Sequence, residues 1–186
     1  MAHREQDLHQ PASARKVTHP AERNADAHAR LIRAFYAAFQ ARDHRTMAEC
    51  YAPDAMFTDP VFGQLVGRRI GAMWRMLCER ASDLQLDVSG IEADGERGSA
   101  HWEAMYTFSG TGRPVHNRID ASFRFRDGRF HHHIDRFNLY AWARQALGLQ
   151  GLLLGWTPPV QRTIRRRASD GLDAFIRRND LDSDIS

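Results

Sequence analysis

The spacing of the apolar residues changes once along this chain, and that change sets the fold class. Up to about residue 80 they recur at helical intervals: Leu31, Ile32, Phe35, Tyr36 and Phe39, then Met47, Cys50 and Tyr51, then Ile70, Met73, Trp74 and Leu77. Beyond that point they alternate. Leu84, Leu86 and Val88 open a strand, and Ala100, Trp102, Ala104, Tyr106 and Phe108 alternate with His101, Glu103, Met105 and Thr107. Turn-forming stretches at Asp94–Gly98, Ser109–Pro114 and Arg126–Gly128 set off two further strands, Val115–Phe125 and Phe130–Phe137. Helices followed by an antiparallel meander predict an α+β domain, with one face of its sheet buried under the helices.

Residues 1–23 are polar and lack an apolar period, which predicts a disordered arm. The domain is expected over residues 24–147, with Asp26 capping its first helix and Asp43 its second. Pro53-Asp54 is expected to end the second helix and a short extended piece to follow. Leu139–Leu147 reads as a helix, and residues 148–186 as a helical extension whose last helix spans Val160–Arg178. The 186 residues are 42% hydrophobic, enough for one core. The net charge of +3 sits largely in C-terminal arginines and predicts no nucleic-acid partner.

Cys50 and Cys78 fall on apolar stripes, as core thiols of a reducing, cytoplasmic protein would. No run approaches the ~20 apolar residues of a membrane span, and no secretory leader is expected. The apolar knot Leu152-Leu153-Leu154 with Trp156 precedes Arg162 and Arg165-Arg166-Arg167. It is expected to pack across a pocket mouth or sheet edge, leaving the arginines in water. Membrane contact is not expected.

Three stretches resemble one family. They are Tyr51–Pro60; Phe62-Gly63 and Gly67 with the helix bearing Met73 and Trp74; and Phe123–Phe130 running on to Asp135-Arg136-Phe137. Over about Asp26–Trp142 the chain resembles the nuclear-transport-factor-2-like superfamily, in its SnoaL-like and ketosteroid-isomerase-related branch. The resemblance implies a cone-shaped cup around an apolar pocket, a C-terminal helical addition, and dimerisation through the outer sheet face. It leaves the reaction open, because this fold hosts isomerases, cyclases, dehydratases, epoxide hydrolases and binding modules.

Asp59 stands where the isomerases resembled here carry the base that takes a proton next to a carbonyl. A carboxylate at the mouth of an apolar cup is desolvated, which raises its proton affinity toward a useful range. Asp-Pro is also a common turn opener, so Asp59 has a purely structural reading beside the catalytic one. The isomerases' helix tyrosine falls on Phe35, with Tyr36 next to it. Their second acid falls near Asp120, but Ile119, Ala121 and Phe123 form the apolar face of that strand. Parity therefore puts Ala121 inward and Asp120 outward, among arginines.

On the last strand His131, His133, Asp135 and Phe137 share one face, and Phe130, His132, Ile134 and Arg136 the other. The resemblance puts His133, Asp135 and Phe137 at pocket positions, where an aspartate two residues from a histidine can relay a proton. The Arg–Asp pair of limonene-epoxide-hydrolase-type sites falls near Trp102 and Ala104, which are uncharged. The expected catalytic set is Asp59, Asp135 and His133. The expected substrate-binding set is Tyr36, Phe57, Phe62, Trp74, Trp102, Tyr106 and Phe137, around a small apolar molecule. No cofactor and no metal are expected. The leading reading is an isomerase-like acid–base enzyme, beside a dehydratase or hydratase, an epoxide hydrolase and a ligand-binding module.

Overall fold

The computed structural model describes residues 20–179, so the expected N-terminal arm falls almost wholly outside the described residues. Helix α1 (Pro20–Gln40) begins six residues before Asp26, with Pro20 in its first turn, where its missing N–H breaks no helical bond. Asp43 caps α2 (His44–Glu49) as its spacing predicts, its side chain accepting from Arg45 N and Thr46 N. Tyr51 does not continue that helix. It opens β1 (Tyr51–Asp59), which runs straight through Pro53. Proline fits there because β2 (Gly63–Val66) pairs only with Met56–Asp59, leaving the first half of β1 open on that side.

Gly67 turns the chain into α3 (Arg68–Arg80) at φ 57°, and a Cβ there would stand 2.9 Å from Pro53 O. The alternating segments form β3 (Gln85–Ala93), β4 (Arg97–Phe108), β5 (Arg113–Arg126) and β6 (Arg129–Arg136). The sheet order is β2-β1-β6-β5-β4-β3, parallel between β1 and β6 and antiparallel elsewhere. This is the expected α+β cup, an unclosed curved sheet with helices in its concavity.

The inner face is packed aromatically. Phe35 from α1 is fully buried and meets Trp74, Phe130 and His133 edge-on at 5.3, 5.5 and 5.7 Å between ring centres. Burying a ring of this size stabilises the fold by roughly 1.5–3 kcal/mol. Phe130 shows where simple alternation fails. The β5–β6 register shifts between Arg124 and Phe125, so His131 is taken up in a bulge, and Phe130 and His133 both point inward.

The C-terminal residues form α4 (Leu139–Leu147), α5 (Leu149–Leu154) and α6 (Pro158–Arg178). Ile164 of α6 packs with Trp142 and Val115, while Leu172, Phe175 and Ile176 of the same helix join the main core. Among the described residues no helix is long and apolar enough to cross a membrane. Helix α5 lies directly on α4 because Gly151 has no side chain; a Cβ would fall 1.9 Å from Ala143 O. Gly151→Ala is expected to destabilise the protein by ~1–3 kcal/mol in urea unfolding. An unchanged midpoint would contradict this packing.

Candidate functional site

The parallel pairing of β1 with β6 builds the site. Thr58 stands opposite Ile134, so Asp59 and Asp135 are the next residues along two adjacent strands running the same way. Neighbouring strands lie ~4.8 Å apart, which sets the two backbones side by side. Both carboxyl groups line one cavity of about 660 Å³. Phe57, Trp74, Trp102 and Tyr106 form its walls, with Phe62 and Phe137 towards β2 and α4. The small side chain of Ala104, between Trp102 and Tyr106 on the same face of β4, leaves room at the floor. The two tryptophans therefore wall the space and do not fill it.

Asp59 is half-buried and serves two purposes. Its Oδ1 accepts from Val61 N at 2.9 Å and Phe62 N at 2.5 Å, closing the turn after Pro60. The turn reading and the cavity reading thus hold for the same side chain. Burial pushes the carboxyl up to about 7; the Phe62 N–H opposes the rise and the Asp135 charge adds to it.

Behind Asp135 runs a buried chain of polar groups. Trp74 Nε1 donates to Tyr51 Oη at 3.0 Å, and Tyr51 Oη lies 2.6 Å from His133 Nδ1. His133 Nε2 lies 3.0 Å from Asp135 Oδ1, which also accepts from Trp102 Nε1 at 3.4 Å. An indole N–H can only donate and a carboxylate can only accept, so Trp74 donates to Tyr51 and His133 Nε2 to Asp135, which leaves His133 Nδ1 to accept from the Tyr51 hydroxyl. Burial holds the Tyr51 hydroxyl well above the usual tyrosine range, with the Asp135 charge adding to the effect, so it stays a donor.

His133 is fully buried and does not reach the cavity, contrary to its expected place in the catalytic set. Its two nitrogens are engaged with Tyr51 and Asp135, so it holds Asp135 from behind. Tyr36 does not reach the cavity either. It sits about 100° round α1 from Phe35 and packs against Trp102 at 5.8 Å. Tyr106 is the tyrosine that lines the cavity instead. It accepts Trp142 Nε1–H at 2.9 Å, which leaves its own proton for donation. Burial raises its pKa, the bond from Trp142 opposes that, and the Asp59 charge raises it further.

Asp120 points outward as strand parity requires, but its partner is His101 Nδ1 at 2.7 Å and not an arginine. His131 lies at the bulge, stacked on His132 at 4.5 Å. Among the described residues no three His, Cys, Asp or Glu side chains converge as a metal's ligand set would require. Sequence reasoning missed Tyr51, which helical spacing assigned to α2. The adjacent Ala52-Pro53 was the signal for extended chain, since proline disfavours helix in the residue before it.

The last three helices roof the cavity. Trp142, Leu147, Gln150, Ile164 and Arg167 line it from above. The apolar knot does this only in part: Leu154 lines the cavity, whereas Leu149, Leu152, Leu153 and Trp156 project into solvent.

With the cup, the paired strands and the cavity in place, one comparison decides the family. The model of the SnoaL-like domain matches residues 32–133. The chain belongs to the SnoaL-like family. Its fold is that of the nuclear-transport-factor-2-like superfamily, and solved structures agree. A limonene-epoxide-hydrolase-like epoxide hydrolase from M. tuberculosis is 22% identical, with a TM-score of 0.58 over 70% of this chain and 98% of that one. TerC, crystallised with polyporic acid, is 19% identical, with a TM-score of 0.57 over 66% of this chain and 99% of the other. A hypothetical protein with a ketosteroid-isomerase-like fold from Catenulispora acidiphila, in complex with trimethylamine, is 18% identical, with a TM-score of 0.58 over 69% of this chain and 97% of that one. At these identities the likeness is one of fold. No protein of curated function matches the sequence.

Proposed function

We propose that this SnoaL-like protein is a cofactor-independent acid–base enzyme that moves a proton on an apolar, carbonyl-containing small molecule. The observation that carries the reading is the convergence of Asp59, Asp135 and the Tyr106 hydroxyl on one largely apolar cavity. A space of about 660 Å³ suits a polycyclic or extended aryl ketone. The carboxylate of Asp59 takes a proton from the carbon next to the carbonyl. The C–H electron pair forms the enolate, and Tyr106 donates a hydrogen bond to its oxygen. The proton held on Asp59 then returns to a different carbon of the conjugated system, which completes an isomerisation with no net gain or loss of atoms. Asp135 contributes the neighbouring negative charge that strengthens Asp59 as a base.

Two facts support an organic ligand in the cup. The M. tuberculosis neighbour is named an epoxide hydrolase, and TerC was crystallised with polyporic acid. Epoxide opening by an Arg–Asp pair is disfavoured: Trp102 and Ala104 occupy the β4 positions that the resemblance assigns to it, and the i, i+2 pair Arg118 and Asp120 of β5 is exposed.

Thermal-shift screening against steroids, terpenoids and polyketide-like ketones identifies the ligand class, and the best binder is then assayed for turnover. The base must be ionised, so kcat/KM is expected to rise with pH and level off above about 7, the value of Asp59. Tyr106→Phe is expected to lower kcat/KM by roughly 10–10³-fold while leaving binding within a fewfold. A tightly bound ketone with no turnover across this pH range would favour the binding-module reading.

A further inference from the structure

Seven large apolar side chains stand exposed among the described residues, and five of them fall between Leu149 and Trp156. Leu149, Leu153 and Trp156 are 69, 60 and 63% exposed, so this knob has no packing partner among the described residues. Its surroundings are basic. Leu139–Ala168 contains Arg144, Arg162, Arg165, Arg166 and Arg167 and no aspartate or glutamate. Arg113 joins the same end of the molecule, donating to Gln145 O at 2.9 Å. On α6, the exposed Pro159, Arg162 and Arg166 follow one stripe at i, i+3 and i+7, immediately after Trp156.

We infer that this end of the protein docks on an anionic lipid bilayer, with the Leu149–Trp156 knob in the headgroup–acyl boundary and the arginines on lipid phosphates. Both halves of the surface then find partners: apolar side chains leave water, and the clustered arginines meet negative charge. Tryptophan suits that boundary through its apolar ring and polar N–H. A second copy of the chain fits less well, because a symmetric contact through the knob would bring two arginine-rich, acid-free segments together. Leu154 is 52% exposed and also lines the cavity, so it joins the knob to the interior. An apolar ligand dissolved in the bilayer would thus meet an apolar route inward. The sequence expectation of no membrane contact assumed that the knot packs away, and most of it does not.

The test is sedimentation of the full chain with vesicles of phosphatidylcholine alone and of an equal mixture of phosphatidylcholine and phosphatidylglycerol. The protein is expected to sediment with the mixed vesicles at low salt, stay in solution with phosphatidylcholine, and be released by ~0.5 M sodium chloride. Arg162→Gln with Arg166→Gln is expected to weaken partitioning roughly fivefold per arginine. Leu153→Ser with Trp156→Ser is expected to abolish it. Both pairs replace exposed side chains, and unchanged melting curves confirm the fold. Absence of sedimentation, equal binding to both vesicle types, or a dimer in ultracentrifugation that Leu153→Ser with Trp156→Ser dissociates would overturn the proposal. None of these readouts involves turnover, so the outcome is independent of the acid–base reading.

Discussion

Replacing Asp59 with asparagine is expected to lower kcat/KM by roughly 10²–10⁴-fold, the range a positioned general base supplies. The fold should survive, because the amide oxygen of asparagine can accept from the same Val61 and Phe62 N–H groups. Stability supplies an independent check on the same residue. Asp59 rises from an ordinary 3.8 to about 7 in the folded protein, so the native state holds a proton there that the unfolded chain gives up. The wild type should therefore lose stability as pH rises from about 4 to 7, with no further loss from this group above 7. Asp59→Asn removes that slope. Relative to the wild type it should gain stability between pH 4 and 8, by no more than ~4 kcal/mol, since the half-buried carboxyl keeps some solvent. Parallel urea unfolding at the two pH values checks this; a constant difference between the proteins would refute the buried-base account.

The second large effect is expected on stability. His133→Ala removes the one side chain that joins Tyr51 to Asp135, and it does so in the centre of the aromatic core. Asp135 is left with the long bond from Trp102, and Tyr51 loses its acceptor. Breaking a buried pair of this kind and opening a cavity costs roughly 3–5 kcal/mol. Tyr51→Phe keeps the ring and should cost less, ~1–3 kcal/mol, because Trp74 N–H and His133 Nδ1 lose one bond each. Chemical denaturation of the two variants should therefore rank them in that order. A His133→Ala protein as stable as Tyr51→Phe would mean that the buried chain does not hold the sheet together.

The periodicity change from helix to strand was enough to read the α+β class, because it depends on local burial alone; the cup came from the family resemblance. The same alternation placed Ala121 inward, now 4% exposed, and Asp120 outward. It failed where the backbone gains a residue. The bulge at His131 put Phe130 in the core against the simple count, and β1 shifts register against β6 between Tyr51 and Met56. Bulges depend on pairing partners far along the chain, which no local period reports.

The site was legible in part through the family resemblance. Asp59 and Asp135 were found as chemistry-bearing residues, but their adjacency rests on the parallel β1–β6 pairing across some 75 residues of chain. His133 was expected at the pocket, and it lies on the inward face of its strand but short of the cavity. Its depth behind Asp135 follows from packing against Phe35, Phe57 and Trp74, a long-range property.

The central claim is that Asp59 removes a proton from a carbon beside a carbonyl inside the apolar cavity. The most direct measurement is NMR of a bound ketone in deuterated water, following exchange of its α-protons with wild-type protein and with Asp59→Asn. The account predicts stereoselective exchange at one α-carbon, catalysed by the wild type above pH 7 and reduced at least a hundredfold in the variant. A ketone that occupies the cavity while its α-protons exchange no faster than in buffer, or equally fast with both proteins, would contradict it.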